Sequence, residues 1–447
     1  MGFADAYLQK AGLRKTILEP EPHPALQLIV TIPVYNESGL ERCLDSLFQC
    51  TCAGGTGGSG GRETDDSGNR EIRAEVLILI NAPADAPEKA LEQNRQSMRE
   101  TLRWIRDHPH PCIDYHVWLD HSFDPREAGV GTARKILMDE AVRRFNSLDR
   151  PEGIIASMDA DAVVQPNYLK ALISHFHPGQ AGGGRYGSSG PDGCSVHFEH
   201  PLSDRGAPGA EPFPPEVYQA ITQYELHLRY YLQSVRFTGY PYAFHTVGSS
   251  FAVRAGIYCM EGGMNRRQGG EDFYFIQKVA QRGNFNTCNA TCVVPSPRPS
   301  DRVPFGTGPV VGRLIAGSGP LLTYHPRTFG MLRELFAGIE WPELLRGSWT
   351  EPLGSFLMEQ GFEAALDEIQ ANSASASAFR KRFWRWFNMF RILKFIHFAR
   401  ERGYPDIPVG DAAAQLLRTL DPAELGIPSV GNDVNKLLRI YRMLEMR

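Results

Sequence analysis

Short apolar runs alternate with amphipathic helical patterns through most of the chain. The runs at 26–31, 75–80 and 154–156 are too short for helices and are typical of buried strands. Between the first two, apolar side chains within 40–48 recur at helical spacing. Strands that alternate with helices form a mostly parallel sheet with helices on both faces. The pattern therefore predicts an α/β protein with a Rossmann-like sheet.

Further elements follow from the same patterns. Residues 115–119 are predicted to form a third, short strand, and helices are predicted at about 87–107 and 215–235. The helix at 87–107 is expected to bury the apolar residues that recur along one side. These residues are Leu91, Met98, Leu102 and Ile105.

Changes in composition divide the chain. Residues 1–25 are predicted to be an N-terminal extension, 26–315 the α/β domain and 316–447 a mainly helical C-terminal region. Residues 51–73 are rich in Gly and polar residues and are predicted to be a flexible insertion. Residues 178–215 are rich in Gly, Pro and Ser, have no period and are predicted to be an active-site loop.

Charge and cysteine content exclude some functional classes. The net charge of -4 over 447 residues gives no sign of a nucleic-acid partner. The cysteines are scattered without a CxxC pair, so reduced thiols are expected. No apolar run approaches the roughly 20 residues that cross a bilayer, and the N-terminus lacks the apolar core of a signal peptide. A cytoplasmic location is expected.

Two acidic residues follow the strand at 154–156. Alternate residues of an extended backbone point the same way, so Asp159 and Asp161 can face one site. Open α/β sheets bind their ligands beyond the carboxyl ends of the strands. Two carboxylates there suit Mg²⁺ or Mn²⁺, whereas a simple turn is the alternative interpretation.

Two helix starts carry charged residues. Arg134 follows a glycine-containing loop, where its guanidinium can contact a phosphate or a base carbonyl bidentately. The alternative is an ordinary surface arginine. Glu271 and Asp272 follow two glycines and can supply a general base, or can simply cap the helix.

Arg298 and Arg302 lie in an irregular, proline-rich loop. Two guanidinium groups can clamp a diphosphate or a sugar carboxylate. A loop stabilised by salt bridges, for example with Asp301, explains the same residues equally well.

The segment 379–400 combines aromatic and basic residues. Its aromatic side chains recur every three or four residues and form a wide stripe. Such a stripe is more often core, with Arg and Lys stems at its border, but it also permits peripheral contact at the inner face of the membrane.

Four motifs occur in a fixed order: IPVYNE at 32–37, ARK at 133–135, DAD at 159–161 and GGED at 269–272. This set resembles the family 2 nucleotide-sugar glycosyltransferases, which have the GT-A fold, over about residues 26–315. The resemblance implies a metal-dependent, inverting, hexosyltransferase-like enzyme. Its donor would be a nucleoside diphosphate sugar, of the UDP type, and its acceptor a hydroxyl of a glycan, a lipid-linked sugar or another molecule.

The resemblance also assigns the nucleotide site. Pro33, Tyr35 and Glu37 match the first nucleotide-binding loop. Asn81 stands where the family usually has an aspartate that reads the base. Arg134 matches the nucleotide-contacting arginine, although Lys135 replaces the asparagine that usually follows.

The DAD triplet matches the family's DxD motif. By resemblance Asp159 faces the nucleotide, and Asp161 holds Mg²⁺ or Mn²⁺ on the diphosphate. Many members have a further metal-binding histidine, but 295–308 contains none and the next is His325. The rest of the metal shell is therefore not assigned.

The remaining assignments concern the donor, the acceptor and the base. Glu271 and Asp272 match the acceptor-side ED pair, and Asp272 is the expected base. Four residues match loops near donor and acceptor: Gly248, Ser249, Arg298 and Arg302. The loop that carries the two arginines resembles one from a bacterial subgroup.

Two other functions remain open. A sugar nucleotidyltransferase shares a related fold, but it would have a Gly-rich, Lys- or Arg-bearing loop after the first strand, which residues 32–39 lack. A non-catalytic carbohydrate- or nucleotide-binding protein would not need both acidic pairs.

Overall fold

A computed structural model describes most of the chain. The described residues are 2–12, 17–51, 72–178, 190–203, 212–267, 269–302, 306–317, 319–340, 342–420 and 431–446. Nearly all of the insertion predicted at 51–73 therefore lies outside them, as does much of the loop predicted at 178–215.

The chain divides into two compact units. One comprises Met1–Phe213 and Thr246–Pro309, and the other comprises Pro214–His245 and Val310–Arg447. Residues 215–237 belong to the second unit, although they lie inside the segment 26–315. The domain boundaries given above stay a prediction.

The first unit contains an eight-stranded sheet, which confirms the α/β class. Its strands are β1 (Leu28–Val34), β2 (Ala74–Pro83), β3 (Ile113–Phe123), β4 (Ile154–Ser157), β5 (Val163–Val164), β6 (Gly193–Phe198), β7 (Phe251–Arg254) and β8 (Phe285–Val294). They lie in the order β3-β2-β1-β4-β7-β6-β8-β5. The pairs β2–β3, β1–β2, β1–β4 and β6–β8 are parallel, and the pairs made by β7 and β5 are antiparallel.

Apart from α1, which precedes β1, the helices of the first unit come between these strands in sequence. They are α1 (Asp5–Lys10), α2 (Leu40–Phe48), α3 (Glu88–Asp107), α4 (Val130–Ser147), α5 (Tyr168–Phe176), α7 (Ala255–Met260) and α8 (Glu271–Ala280). The predicted strands at 26–31, 75–80 and 154–156 are confirmed as β1, β2 and β4, whose Leu, Ile and Val side chains are buried. The third strand is longer than predicted.

Strand β6 corrects the prediction that 178–215 is one irregular loop. Every residue of Gly193–Phe198 is buried, and the strand pairs with β7 on one side and with β8 on the other. Its sequence, GCSVHF, is short and partly polar, so local periodicity does not reveal it. Tertiary pairing determines its conformation.

Helix α3 buries a different face from the predicted one. Leu102 is 50% exposed, whereas Asn94, Ser97, Thr101 and Trp104 are buried. The polar groups on this face donate and accept hydrogen bonds with the loop after β1 and with the last residues of β2. The need to satisfy those backbone groups outweighs the apolar stripe.

The second unit is mainly helical, as predicted for the C-terminal region. Its elements are α6 (Pro215–Phe237), α10 (Pro326–Ala337), two 3₁₀ helices (Gly338–Glu340 and Pro342–Arg346), α11 (Leu353–Glu359), α12 (Phe362–Ala371), α13 (Ala376–Trp386), α14 (Met389–Arg400), α15 (Val409–Thr419) and α16 (Val434–Glu445). A short antiparallel pair joins β9 (Leu322–Thr323) and β10 (Ile407–Pro408). Helix α9 (Thr307–Ile315) follows the first unit's last loop.

A buried ionic cluster joins α6 to α16 within the second unit. Arg229 is fully buried, lies 2.8 Å from Glu225 and contacts Glu445. Glu225 also lies 2.7 Å from Arg442, and His245 lies 3.0 Å from Glu445. Each buried charge therefore has an opposite charge beside it, as burial requires.

The aromatic stripe at 379–400 is not one continuous helix. Helix α13 ends at Trp386, and Asn388 caps α14 by accepting a hydrogen bond from the Arg391 N–H. Its aromatic residues are buried except for a few, among them Phe390, which is 43% exposed. No helix in the described part of the chain is long and apolar enough to cross a membrane.

The buried face of α3 can be tested by its effect on stability. Trp104 is 5% exposed, and its indole N–H donates to Asp45 at 2.8 Å. Trp104→Ala should lower the free energy of unfolding by about 3–5 kcal/mol, the usual cost of truncating a buried aromatic side chain. Leu102→Ala, on the exposed face of the same helix, should change it by less than ~1 kcal/mol. Denaturant titration compares the two, and a larger loss for Leu102→Ala would contradict the assigned face.

Candidate functional site

Polar residues gather where the central parallel strands end. Glu37 follows β1, Asn81 lies near the end of β2, and Asp159 and Asp161 follow β4. Because β1 is parallel to both β2 and β4, these ends meet at one edge of the sheet. That edge is where open α/β sheets bind ligands.

The loop after β1 is held by α3. The Glu37 carbonyl accepts hydrogen bonds from Ser97 Oγ at 2.5 Å and from Gln93 Nε2 at 3.3 Å. The Asn36 N–H donates to Asn94 Oδ1 at 2.9 Å, and Asn36 has a positive φ of 49°. Asparagine tolerates that left-handed conformation better than most residues. Sequence reasoning missed these helix residues, although their helical spacing on a polar face was visible.

Three residues assigned to nucleotide binding lie at this edge in different environments. Asn81 is buried, and its amide donates to the Val34 carbonyl at 2.9 Å, so its side chain stabilises the strand end. The Tyr35 carbonyl accepts a hydrogen bond from Arg302 at 3.1 Å. Pro33 is half-buried within β1. Their predicted contacts with a nucleotide stay predictions.

Arg134 is buried between two carboxylates. Its side chain is 4% exposed, and its two terminal nitrogens contact Asp159 and Glu271. Burial alone would lower the pKa of the guanidinium, but the attraction of Asp159 and Glu271 raises it above its ordinary value. The surface-arginine interpretation is therefore excluded. The guanidinium joins the end of β4 to the start of α8.

A glycine makes room for this arginine. A Cβ atom added to Gly248 would lie 2.3 Å from Arg134 Nη1, closer than any non-bonded contact permits. The Gly248 carbonyl accepts a hydrogen bond from Ser157 Oγ at 2.8 Å, which fixes the loop against β4. The neighbouring Ser249 is buried. Gly248 therefore lies directly beside the arginine, where the absence of a side chain leaves room for the guanidinium.

The acidic pair that opens α8 divides into two environments. Glu271 is buried and forms a salt bridge with Arg134, whereas Asp272 accepts a hydrogen bond from the Phe273 N–H at 2.7 Å. Burial, followed by repulsion from Glu271, raises the pKa of Asp272 to about 7. A carboxyl with that pKa can exchange a proton near neutral pH. Gly270, with φ of 71°, allows the turn into the helix.

Arg298 and Arg302 reach back to the same edge. Arg298 contacts Glu37 and lies 3.1 Å from Asp161, while Arg302 lies 2.8 Å from Glu37 and 3.4 Å from Asp161. Burial alone would raise the pKa of Glu37, but the two arginines lower it below its ordinary value. Burial and then repulsion from Asp159 raise the pKa of Asp161. The alternative interpretation, a loop stabilised by salt bridges, therefore agrees with the structure.

The donor set at the strand end suits a hard cation. Asp159 Oδ2 and Asp161 Oδ1 accept no hydrogen bond from the described residues, so each keeps one carboxylate oxygen available. No group of three or more His, Cys, Asp or Glu side chains arranged around a common point occurs in the described ranges. Mg²⁺ commonly binds through one or two carboxylates and completes its shell with substrate phosphates and water.

Comparison with known proteins adds no assignment. No family model matches the chain, and no curated protein matches it.

The buried guanidinium permits a direct test. Arg134→Gln leaves Glu271 charged and unpaired in the interior, so the free energy of unfolding should fall by about 3–5 kcal/mol. Arg266 pairs with Glu127 at 2.9 Å, and both side chains are 54% exposed. Arg266→Gln should therefore cost less than ~1 kcal/mol. Equal losses in chemical unfolding would show that the Arg134 contacts do not hold the site together.

Proposed function

We propose that this chain is a metal-dependent inverting glycosyltransferase of the GT-A fold. It transfers a sugar from a nucleoside diphosphate sugar, of the UDP type, to an acceptor hydroxyl of a glycan, a lipid-linked sugar or another molecule. One observation carries the proposal: Asp159 of the DAD triplet and Glu271 of the ED pair, far apart in sequence, both contact Arg134 at the carboxyl edge of the parallel strands. Such a reaction needs a charge-stabilising site and a base close together.

Asp159 and Asp161 would hold the cation. Their two available oxygens are hard ligands, which suit Mg²⁺ or Mn²⁺. When bound, the cation would neutralise charge on the diphosphate leaving group. Arg134 keeps Asp159 in place from the buried side, since its guanidinium contacts one oxygen of that carboxylate.

Asp272 would act as the general base. The acceptor oxygen forms a bond to the anomeric carbon from the face opposite the diphosphate, and the bond from that carbon to the phosphate oxygen breaks. Its electron pair leaves with the diphosphate, and the hydroxyl proton passes to Asp272. A pKa of about 7 for Asp272 suits this role. Glu271 stays paired with Arg134 and orients the helix start.

Release of nucleoside diphosphate distinguishes this proposal from its alternatives. A glycosyltransferase should release it slowly from the donor alone, in a metal-dependent reaction with water as acceptor. A sugar nucleotidyltransferase would instead release a sugar phosphate when pyrophosphate is added. A non-catalytic binding protein would release neither product.

The proposed role of Asp161 in cation binding can be tested with a matched control variant. Asp161→Ala should abolish metal-stimulated release of nucleoside diphosphate, because the cation loses a carboxylate ligand. Asp114→Ala, an exposed position at the amino end of β3, should release product like the unmodified protein. Both variants are measured with a panel of nucleotide sugars and Mn²⁺. If Mn²⁺ stimulates release of nucleoside diphosphate by Asp161→Ala as fully as by the unmodified protein, Asp161 does not bind the cation.

Asp272→Asn tests the base. It keeps the size of the side chain but cannot accept a proton, so single-turnover transfer should fall about 10²–10⁴-fold while donor affinity stays close to that of the unmodified protein. Glu271→Gln serves as a comparison for loss of the neighbouring charge. Transfer by Asp272→Asn at an unchanged rate would place the base elsewhere.

The pKa of Asp272 also predicts how stability depends on pH. A carboxyl whose folded pKa is raised binds protons more tightly in the native state than in the unfolded state, so it destabilises the fold once ionised. The unmodified protein should therefore lose stability from this group as the pH rises from about 4 to about 7. Asp272→Asn should be more stable at pH 8, and its advantage should shrink below pH 7. Parallel curves for the two proteins would contradict the raised pKa.

A further inference from the structure

Four charged side chains form a closed cluster at the edge of the sheet. Each of Arg298 and Arg302 donates to both Glu37 and Asp161, and we call these four residues the arginine–carboxylate quartet. Two positive and two negative charges cancel within it. The quartet is therefore neutral before any ligand binds.

The two carboxylates of the quartet are held unequally. The Glu37 side chain is 1% exposed, and its Oε1 also accepts from the Gly39 N–H at 2.8 Å. Asp161 is 26% exposed, and its contacts with the arginines are longer, at 3.1 and 3.4 Å. Glu37 is therefore the fixed anchor of both guanidinium groups. Asp161 is the partner that an incoming anion can replace.

The arginines are also positioned by their own loop. Pro295, Pro297 and Pro299 restrict its backbone. Ser300 Oγ accepts hydrogen bonds from the Arg302 N–H at 3.3 Å and from Arg302 Nε at 3.0 Å. The guanidinium groups are only partly buried, with side chains 22% and 24% exposed. Two planar forks held in this way match the paired anionic oxygens of a diphosphate.

We propose that Arg298 and Arg302 bind the diphosphate group of the donor, and that Asp161 occupies their outer hydrogen-bonding positions until the diphosphate arrives. The assignment of this diphosphate to a nucleotide sugar rests on the proposed function. The binding of a diphosphate by these two arginines does not.

Binding then exchanges partners within the quartet. The diphosphate replaces Asp161 on the arginines, Glu37 keeps its contacts, and Oδ2 of Asp161 joins the already available Oδ1 as a possible cation ligand. The arginines and Asp161 therefore act on the same ligand from two sides. Diphosphate should bind even without a cation, and removing the charge of Asp161 should strengthen that binding.

Inorganic pyrophosphate is the probe, titrated calorimetrically into the full chain in the presence of a chelator. Arg298→Gln and Arg302→Gln should each weaken binding by about 10–100-fold, the worth of a charge-assisted hydrogen bond. Asp161→Asn should tighten it by roughly 2–10-fold, because the competing charge is gone while hydrogen bonding remains. Arg282 is the control, since it also bridges two carboxylates, Asp192 and Glu261, and is 33% exposed. Arg282→Gln should bind pyrophosphate like the unmodified chain.

Two results would overturn the inference. The first is unchanged pyrophosphate affinity in both glutamine variants, and the second is weaker binding in Asp161→Asn. If a glutamine variant does not fold, Arg298→Lys keeps the charge without the fork and should still weaken binding. Arginine-dependent pyrophosphate binding without release of nucleoside diphosphate from any donor would support the diphosphate site and overturn the glycosyltransferase. Sugar transfer at an unchanged rate in both glutamine variants would support the glycosyltransferase and overturn the diphosphate site.

Discussion

The contact of the Arg134 guanidinium with two carboxylates is the interaction on which the site depends. The arginine is almost completely buried, so both of its partners must stay in place to compensate its charge. One partner, Asp159, follows strand β4, and the other, Glu271, begins helix α8. The strand end and the helix start therefore cannot separate without leaving a charge unpaired in the interior. The absence of a side chain at Gly248 leaves room for the guanidinium in this position.

A second consequence of burial is that the glutamates and the aspartates of the site lie in different environments. Glu37 and Glu271 are almost fully buried and are paired with arginines, so they serve as anchors. Asp161 and Asp272 are held where ionisation is disfavoured, and the pKa of each is raised. Perturbed pKa values of this kind cluster at functional sites. The proposed chemical roles therefore belong to the two aspartates, whereas the two glutamates hold the arginines in place.

Sequence patterns predicted part of this arrangement. The apolar strands and the DAD triplet after β4 were visible because burial on both faces leaves a continuous apolar run. The buried face of α3 and strand β6 were not visible in the sequence, since tertiary hydrogen bonds determine them. Motif order indicated that Arg134 and Glu271 belong to one site. It did not show that the arginine is enclosed between acids, which depends on chain segments 137 residues apart.

A crystal structure of the chain with Mn²⁺ and uridine diphosphate tests most directly whether this edge of the sheet binds the nucleotide and the cation. We expect the nucleotide at the carboxyl ends of β1, β2 and β4, with the cation on Asp161 and the Arg134 contacts intact. A nucleotide bound away from this edge, or a cation held without either aspartate of the DAD triplet, would contradict it.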